Sequence, residues 1–277
     1  MPILPSKCRK NHATFSRGTG WRGRIKIGNA VTFPSLFAHI EYNAVTALTA
    51  CHLLKLDEFV PEILTNGIQT SLEYIRRVHS KDQNVRYGAL VNYLPPAGST
   101  VVHPHMQAFA SGVPIQKIDE LIEASQTYFG RWRSNYWADL IDIEKSKNQR
   151  YLGRIETSEW ILPFSPTGFY EVNAILPHRT NLLNLTGDDI SNIAEGLSRI
   201  LSYYKANSIW SFNIVVYSGP FGVESEYFAV NLKVVARYGF TSKLVNDRWS
   251  LPFLLKESEV FEAPEPLTPI VKKYFFN

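Results

Sequence analysis

Apolar residues recur along this chain in two alternating rhythms, one that fits strands and one that fits helices, and their order predicts an α+β fold. Residues 22–33 read as a strand ending at the turn Phe33-Pro34-Ser35, and residues 41–49 as a second strand rich in small and β-branched side chains. A helix follows, with Asp57 as N-cap; Phe59, Ile63, Ile68, Leu72, Ile75 and Val78 recur at near-helical spacing up to the basic pair Arg76-Arg77. Residues 86–92 and 101–109 are the next two strands, and residues 115–128 a second amphipathic helix, apolar at Ile115, Ile118, Leu121 and Ile122.

The order then repeats. Strands are expected at residues 151–155, 159–163 and 169–176, a helix capped by Thr186 over residues 188–204, and strands again at 210–217 and 227–236. Residue identities support a duplication: Tyr42-Asn43-Ala44-Val45 before His52-Leu53-Leu54 resembles Val172-Asn173-Ala174-Ile175 before Asn181-Leu182-Leu183. Val102-His103-Pro104-His105-Met106 is expected to correspond to Val230-Asn231-Leu232-Lys233-Val234, which leaves histidines in the first copy only. We therefore expect two similar units, residues 1–140 and 141–277, each an antiparallel sheet with helices packed on it. The start, to about Gly20, has no periodicity and reads as an irregular arm; the tail from Leu254 reads as a short or irregular segment broken by Pro264, Pro266 and Pro269.

Composition narrows the class of protein without naming it. With 277 residues, 45% hydrophobic and 19% charged, the chain can bury a full core, and no apolar run is long enough to span a bilayer. The start, where Lys7, Cys8, Arg9 and Lys10 follow a short apolar stretch, does not resemble a secretory signal, so a cytoplasmic location is expected. Two cysteines, Cys8 and Cys51, do not make a disulfide framework. A net charge of +4 suits anionic small molecules and lacks the dense basic and aromatic clusters of a nucleic-acid binder.

The chemistry concentrates between residues 90 and 108. His103, His105 and Gln107 stand at alternate positions, which on a strand would share one face. Just before them Pro95-Pro96-Ala97-Gly98-Ser99-Thr100 is a hydroxyl-bearing turn whose glycine lets backbone N–H groups approach an anion. Three readings are open: ordinary core or solvated histidines, a cupin-like metal site, or an imidazole nucleophile attacking phosphorus while the turn holds the phosphate oxygens. The turn favours the third.

Asn92, Gly98, Thr100 and the run His103-Pro104-His105-Met106-Gln107 resemble the signature of the galactose-1-phosphate uridylyltransferase family, in the histidine-triad superfamily. That resemblance implies a nucleotidyltransferase that moves a nucleoside monophosphate, UMP in the parent family, between a nucleotide sugar and a sugar 1-phosphate. His105 would be the nucleophile, with the backbone carbonyl of His103 orienting its other nitrogen. Gln107 would contact a phosphate oxygen, since a carboxamide cannot shuttle a proton at neutral pH and so suits transfer rather than hydrolysis. Asn92, Gly98, Ser99 and Thr100 would bind phosphates, and Asn29, Phe33 and Pro34 the nucleoside. The resemblance further implies a homodimer and a structural zinc with Cys8, His52 and His103 as ligands, although Pro5 stands where the family has another cysteine. A second metal site is not expected, because Ser218, Asn231 and Lys233 replace histidines. The stretch 249–253 carries no acid for a hexose, so galactose is unsupported, and Lys233, Arg237 or Lys243 could bind a phosphate instead. Rival readings are an ADP-sugar or diadenosine-polyphosphate phosphorylase, and a non-catalytic nucleotide-binding relative.

Overall fold

Strand alternation builds one antiparallel sheet from both halves of the chain. The computed structural model describes residues 23–93, 97–237, 250–258, 260 and 262–275. The first half supplies β1 (Ile25–Ile27), β2 (Ala30–Pro34), β3 (Tyr42–Ala47), α1 (Pro61–Lys81), β4 (Tyr87–Tyr93) and β5 (His105–Ser111). Next come α2 (Gln116–Trp132) and α3 (Tyr136–Lys147), then β6 (Tyr151–Ile155), β7 (Ser158–Ile161), β8 (Val172–Leu176), α4 (Gly187–Ala206), β9 (Ser211–Tyr217), β10 (Val230–Arg237) and α5 (Pro264–Lys272). The strand order is β1-β2-β3-β5-β4-β9-β10-β8-β7-β6: two five-stranded halves mirrored about the β4/β9 pair.

The mirror fixes which residues correspond. Asn43 pairs with Phe109, and Asn173 pairs with Lys233. If Asn43 and Asn173 are counterparts, Lys233 corresponds to Phe109, and the counterparts of His105 and Gln107 are Ala229 and Asn231. The expected match of His105 with Lys233 is therefore out of register by four residues. The strand pairs agree: Gln107 faces Val91 as Asn231 faces Tyr217.

Each sheet face is covered differently. Met106, Ala108 and Ala110 of β5 turn toward α1 and join a core that runs through both halves, including Leu72 and Ile75 of α1 and Leu197 and Leu201 of α4. A smaller apolar cluster, Ile118, Ile122, Trp137, Ile141 and Phe228, lies under α2 and α3 with Phe109 and Val215 packed against it, on the opposite face. His105 and Gln107 share that second face with Phe109, because strand side chains alternate.

Several sequence expectations shift. The strand expected over 22–33 is a hairpin, since Gly28 takes φ +54° and closes a two-residue turn with Asn29 between Ile27 and Ala30. Asp57 does not cap α1; it sits in a 3₁₀ turn, Leu56–Glu58, and the helix starts at Pro61, which needs no N–H donor there. Thr186 does cap α4, accepting from the Asp189 N–H while Asp189 reaches back to the Thr186 N–H. The boundary expected at 140 falls inside α3, an element the periodicity did not reveal. The tail forms α5 despite its prolines: Pro264 and Pro266 lie in the first turn, where N–H groups have no helical partner, and Pro269 alone falls inside the helix and removes a ladder donor. Among the described residues no helix is long and apolar enough to cross a membrane.

Candidate active site

The site begins where β5 begins. Proline cannot donate to a ladder, so pairing opens only after Pro104, at His105 facing Ala47. His103 thus precedes the strand, so the alternation expected to place it with His105 and Gln107 does not extend to it. The Pro104 carbonyl instead accepts from the Leu48 N–H at 2.9 Å, which pins the His103-Pro104-His105 corner to the end of β3.

Both imidazoles are buried, His103 at 0% and His105 at 5% exposure. His105 Nδ1 lies 2.7 Å from the His103 carbonyl oxygen, a geometry that requires Nδ1 to carry the proton and donate. Nε2 then presents a lone pair. The nearby Ser99 hydroxyl donates to the Val101 carbonyl at 2.9 Å, so at 3.5 Å from Nε2 it does not occupy that lone pair. Burial lowers the pKa of His105 below the ordinary histidine value, opposed by the hydrogen bond to His103, so the ring is neutral at physiological pH. A neutral imidazole with a fixed tautomer and an open Nε2 is a nucleophile ready for use.

The Gly98-Ser99-Thr100 turn lies against it. Gly98 has φ +90° and is exposed, Ser99 is buried beside His105, and Thr100 is exposed. Asn213 of β9 donates from Nδ2 to the Ala97 carbonyl at 2.9 Å, and Arg237 of β10 donates to the Asn213 carboxamide oxygen. The second half therefore braces the turn of the first. No local signal marks Asn213 in the sequence, because its partner is 116 residues away and is reached only through sheet pairing. Pro95 and Pro96 lie outside the described residues, as does the side chain of Asn92, whose backbone belongs to β4.

The expected nucleoside contacts separate. Phe33 pairs with Val45, which pairs with Gln107, so all three share the site face. Asn29 is exposed in the β1/β2 turn, at the end of the sheet where His105 begins β5. Pro34 is buried opposite Ala44, one residue out of phase with Phe33, and faces away from the histidines.

Two of the expected zinc ligands meet. The exposed His52 ring stands edge-on to His103, centroids 5.4 Å apart, and His103 Nε2 is buried with no hydrogen-bond partner. Burial, opposed by a hydrogen bond to the Pro104 carbonyl and reinforced by the neighbouring His52 and His105, lowers the His103 pKa and favours the neutral form that a metal binds. Cys8 lies outside the described residues, and among those described no group of three or more potential ligands gathers. Beyond the Gly98 turn, a cavity of about 550 Å³ opens on the same sheet face, walled by β9, β10 and the start of α2.

No protein-family model matches the chain. An uncharacterized protein of Archaeoglobus fulgidus is 29% identical over 240 residues, 87% of this chain and 71% of that protein. Among solved structures, a uridylyltransferase superposes with a TM-score of 0.77 at 17% identity, covering 90% of this chain and 85% of that one. An ADP-glucose phosphorylase from Arabidopsis thaliana, solved with bound ADP-glucose, gives 0.73 at 13% identity, covering 88% and 82%. A DUF4931 family protein from Bacillus cereus gives 0.58 at 16% identity, covering 91% and 98%. These similarities establish the fold, an α+β architecture shared with a solved uridylyltransferase.

Proposed function

We propose, taking that fold as the premise, that this protein transfers a nucleoside monophosphate through a covalent nucleotidyl-His105 intermediate, from a nucleotide sugar to a sugar 1-phosphate. The observation that carries the reading is the His105 ring itself: neutral, buried, Nδ1 held by the His103 carbonyl and Nε2 left open. In the first step Nε2 forms a bond to the α-phosphorus as the bond from that phosphorus to the bridging oxygen breaks, releasing the sugar 1-phosphate. In the second an acceptor phosphate oxygen attacks the same phosphorus, and the P–N bond breaks to restore neutral imidazole. Positive charge on the ring in the intermediate is met by the Nδ1–H donation to the His103 carbonyl. Neither step needs a proton donor, since phosphates serve as both leaving group and nucleophile, and a half-buried Gln107 on the same face can donate to a phosphate oxygen.

Incubation with labelled UDP-glucose should leave acid-labile nucleotide on the wild-type protein and none on His105→Ala, with transfer falling by more than about a thousandfold. Absence of an adduct from UDP-glucose and ADP-glucose alike would overturn the reading. The fold shared with ADP-glucose phosphorylase supports a second reading, in which inorganic phosphate collects an adenylyl group from His105. Side-by-side turnover of the two donors, with glucose 1-phosphate or inorganic phosphate as acceptor, separates the two.

We also propose a structural zinc held by His52, His103 Nε2 and Cys8, which would supply a fixed charge and no chemistry to the substrate. Its support is the buried, unpartnered His103 Nε2 beside His52. Metal analysis of purified protein should give about one zinc per chain, lost in His52→Ala. Zinc-free wild-type protein with full activity would refute the site. A homodimer, checked by sedimentation, completes the proposal.

A further inference from the structure

The hydrogen bond from Asn213 to the Ala97 carbonyl stands closer to the reacting imidazole than its place in the second half suggests. The ladder fixes the backbone of Asn213 opposite Val235 of β10, and alternation turns its side chain to the site face with Val215 and Tyr217. There the carboxamide has one orientation open to it. A guanidinium can only donate and a carbonyl can only accept, so Oδ1 faces Arg237 while Nδ2 faces Ala97 at 2.9 Å. Neither Asn213 nor Ala97 belongs to either apolar cluster, so the contact is not part of the core packing.

From Ala97 the chain reaches the histidine within two residues. Gly98 follows at φ +90°, and a Cβ built on it would meet no atom within 4 Å, so packing does not hold the turn at that point. Ser99 comes next, its hydroxyl donating to the Val101 carbonyl at 2.9 Å and lying 3.5 Å from His105 Nε2. The turn is thus tied downstream by Ser99 and upstream by Asn213, with a glycine between them that rotates at little cost. A phosphorus atom that bonds to Nε2 comes in beside Ser99, so any movement of the turn moves the wall against which the phosphate reacts.

We infer that Asn213 is a positioning residue for nucleotidyl transfer: through the Ala97 carbonyl it fixes the Gly98 turn, and so places Ser99 at His105 Nε2 for the step in which the P–N bond forms. This role presupposes the transfer reading for its effect on rate, while the restraint on the turn does not. A residue of the second half thereby acts on a nucleophile that the first half supplies. Loss of one neutral hydrogen bond weakens a fold only slightly, whereas a displacement of about 1 Å around reacting groups costs about a hundredfold in rate. The two effects are therefore separable.

Asn213→Ala and Asn213→Asp provide the test. The aspartate keeps the size of the side chain and an acceptor for Arg237, and removes only the donor to Ala97, because a carboxylate has no N–H. With UDP-glucose or ADP-glucose as donor, kcat should fall by about a hundredfold in both variants, with the donor KM changed by less than about threefold and the urea midpoint close to that of wild type. Wild-type kcat in Asn213→Asp would mean that shape and not the hydrogen bond matters, and would overturn the role. So would a rate lost only in proportion to folded protein, or a raised KM at unchanged kcat. Hydrogen exchange read by mass spectrometry reports on the turn without any donor: residues 97–102 should exchange about tenfold faster in both variants, with α1 unchanged. Wild-type exchange at 97–102 in both variants would likewise overturn the role. If wild-type protein forms no adduct from either donor, the transfer reading fails, and the exchange rates alone decide whether Asn213 holds the turn.

Discussion

A single backbone angle sets the geometry of the Gly98-Ser99-Thr100 turn beside His105. Gly98 has φ +90°, and a Cβ placed there would meet no atom within 4 Å, so substitution is penalised by backbone conformation alone. Gly98→Ala should lower stability by about 1 kcal/mol and, if the turn relaxes to a negative φ, move Ser99 away from His105 and cut adduct formation more than stability. Urea midpoints and adduct yield measured together check this; unchanged adduct yield would show that the turn's geometry does not matter to transfer. At this scale the sequence was legible where chemistry is local. His103, His105, Ser99 and Gly98 lie within eight positions, and their motif announced itself. Asn213, which holds the turn, did not, because a lone asparagine on a strand carries no mark of the carbonyl it will meet.

Secondary structure was legible where periodicity is long. The buried stripe of α4 follows the predicted positions and that of α1 does so at Ile68, Leu72, Ile75 and Val78, since a helix of 20 residues repeats its pattern several times, while Phe59 precedes α1 and Ile63 is half-buried. Short elements were misjudged: β1 and β2 merged into one strand because neither is long enough to show its own alternation. What periodicity cannot show is how closely a helix approaches the sheet. A Cβ at Gly196 of α4 would lie 2.0 Å from Cζ2 of Trp160, an indole that is fully buried, donates to Ser158 Oγ at 2.9 Å and packs against Phe275. A Cβ at Gly67 of α1 would meet the terminal methyl of Leu48 at 2.2 Å, while the next atom is 3.6 Å away. Helix propensity favours alanine at both sites by about 1 kcal/mol. Gly196→Ala should nevertheless cost about 2–3 kcal/mol, because a locked indole cannot yield, whereas Gly67→Ala should stay within about 1 kcal/mol as Leu48 rotates. Chemical denaturation of the two variants provides the test, and equal costs would mean that the indole is not the obstacle.

At the scale of the molecule, duplication has not produced two independent bodies. The core on the α1/α4 face is continuous across the halves, and Phe59 from the first half stacks edge-on against Phe212 from the second. Arg76 of α1 donates to the Leu185 carbonyl at 2.6 Å, and the Phe221 N–H donates to the Arg86 carbonyl at 2.8 Å. Pairing of β4 with β9 removes an open edge that either half alone would expose to water or to another chain. Cutting the chain between α2 and α3 would therefore bare both a strand edge and a broad apolar helix face, and the first half, although it holds His105, should not fold alone. The intact protein should lose helix and sheet signal in far-UV circular dichroism at the same urea concentration as it loses the fluorescence of buried Trp160, in one transition. Two separated transitions would mean that the halves are joined only by chain. In that case the brace from Asn213 and Arg237 could be lost while the histidine corner survived, and nucleotidyl transfer would fall before the first half unfolded. A single transition instead makes the second half, which carries no histidine at the positions equivalent to His103 and His105, a structural requirement of the only such site in the described chain.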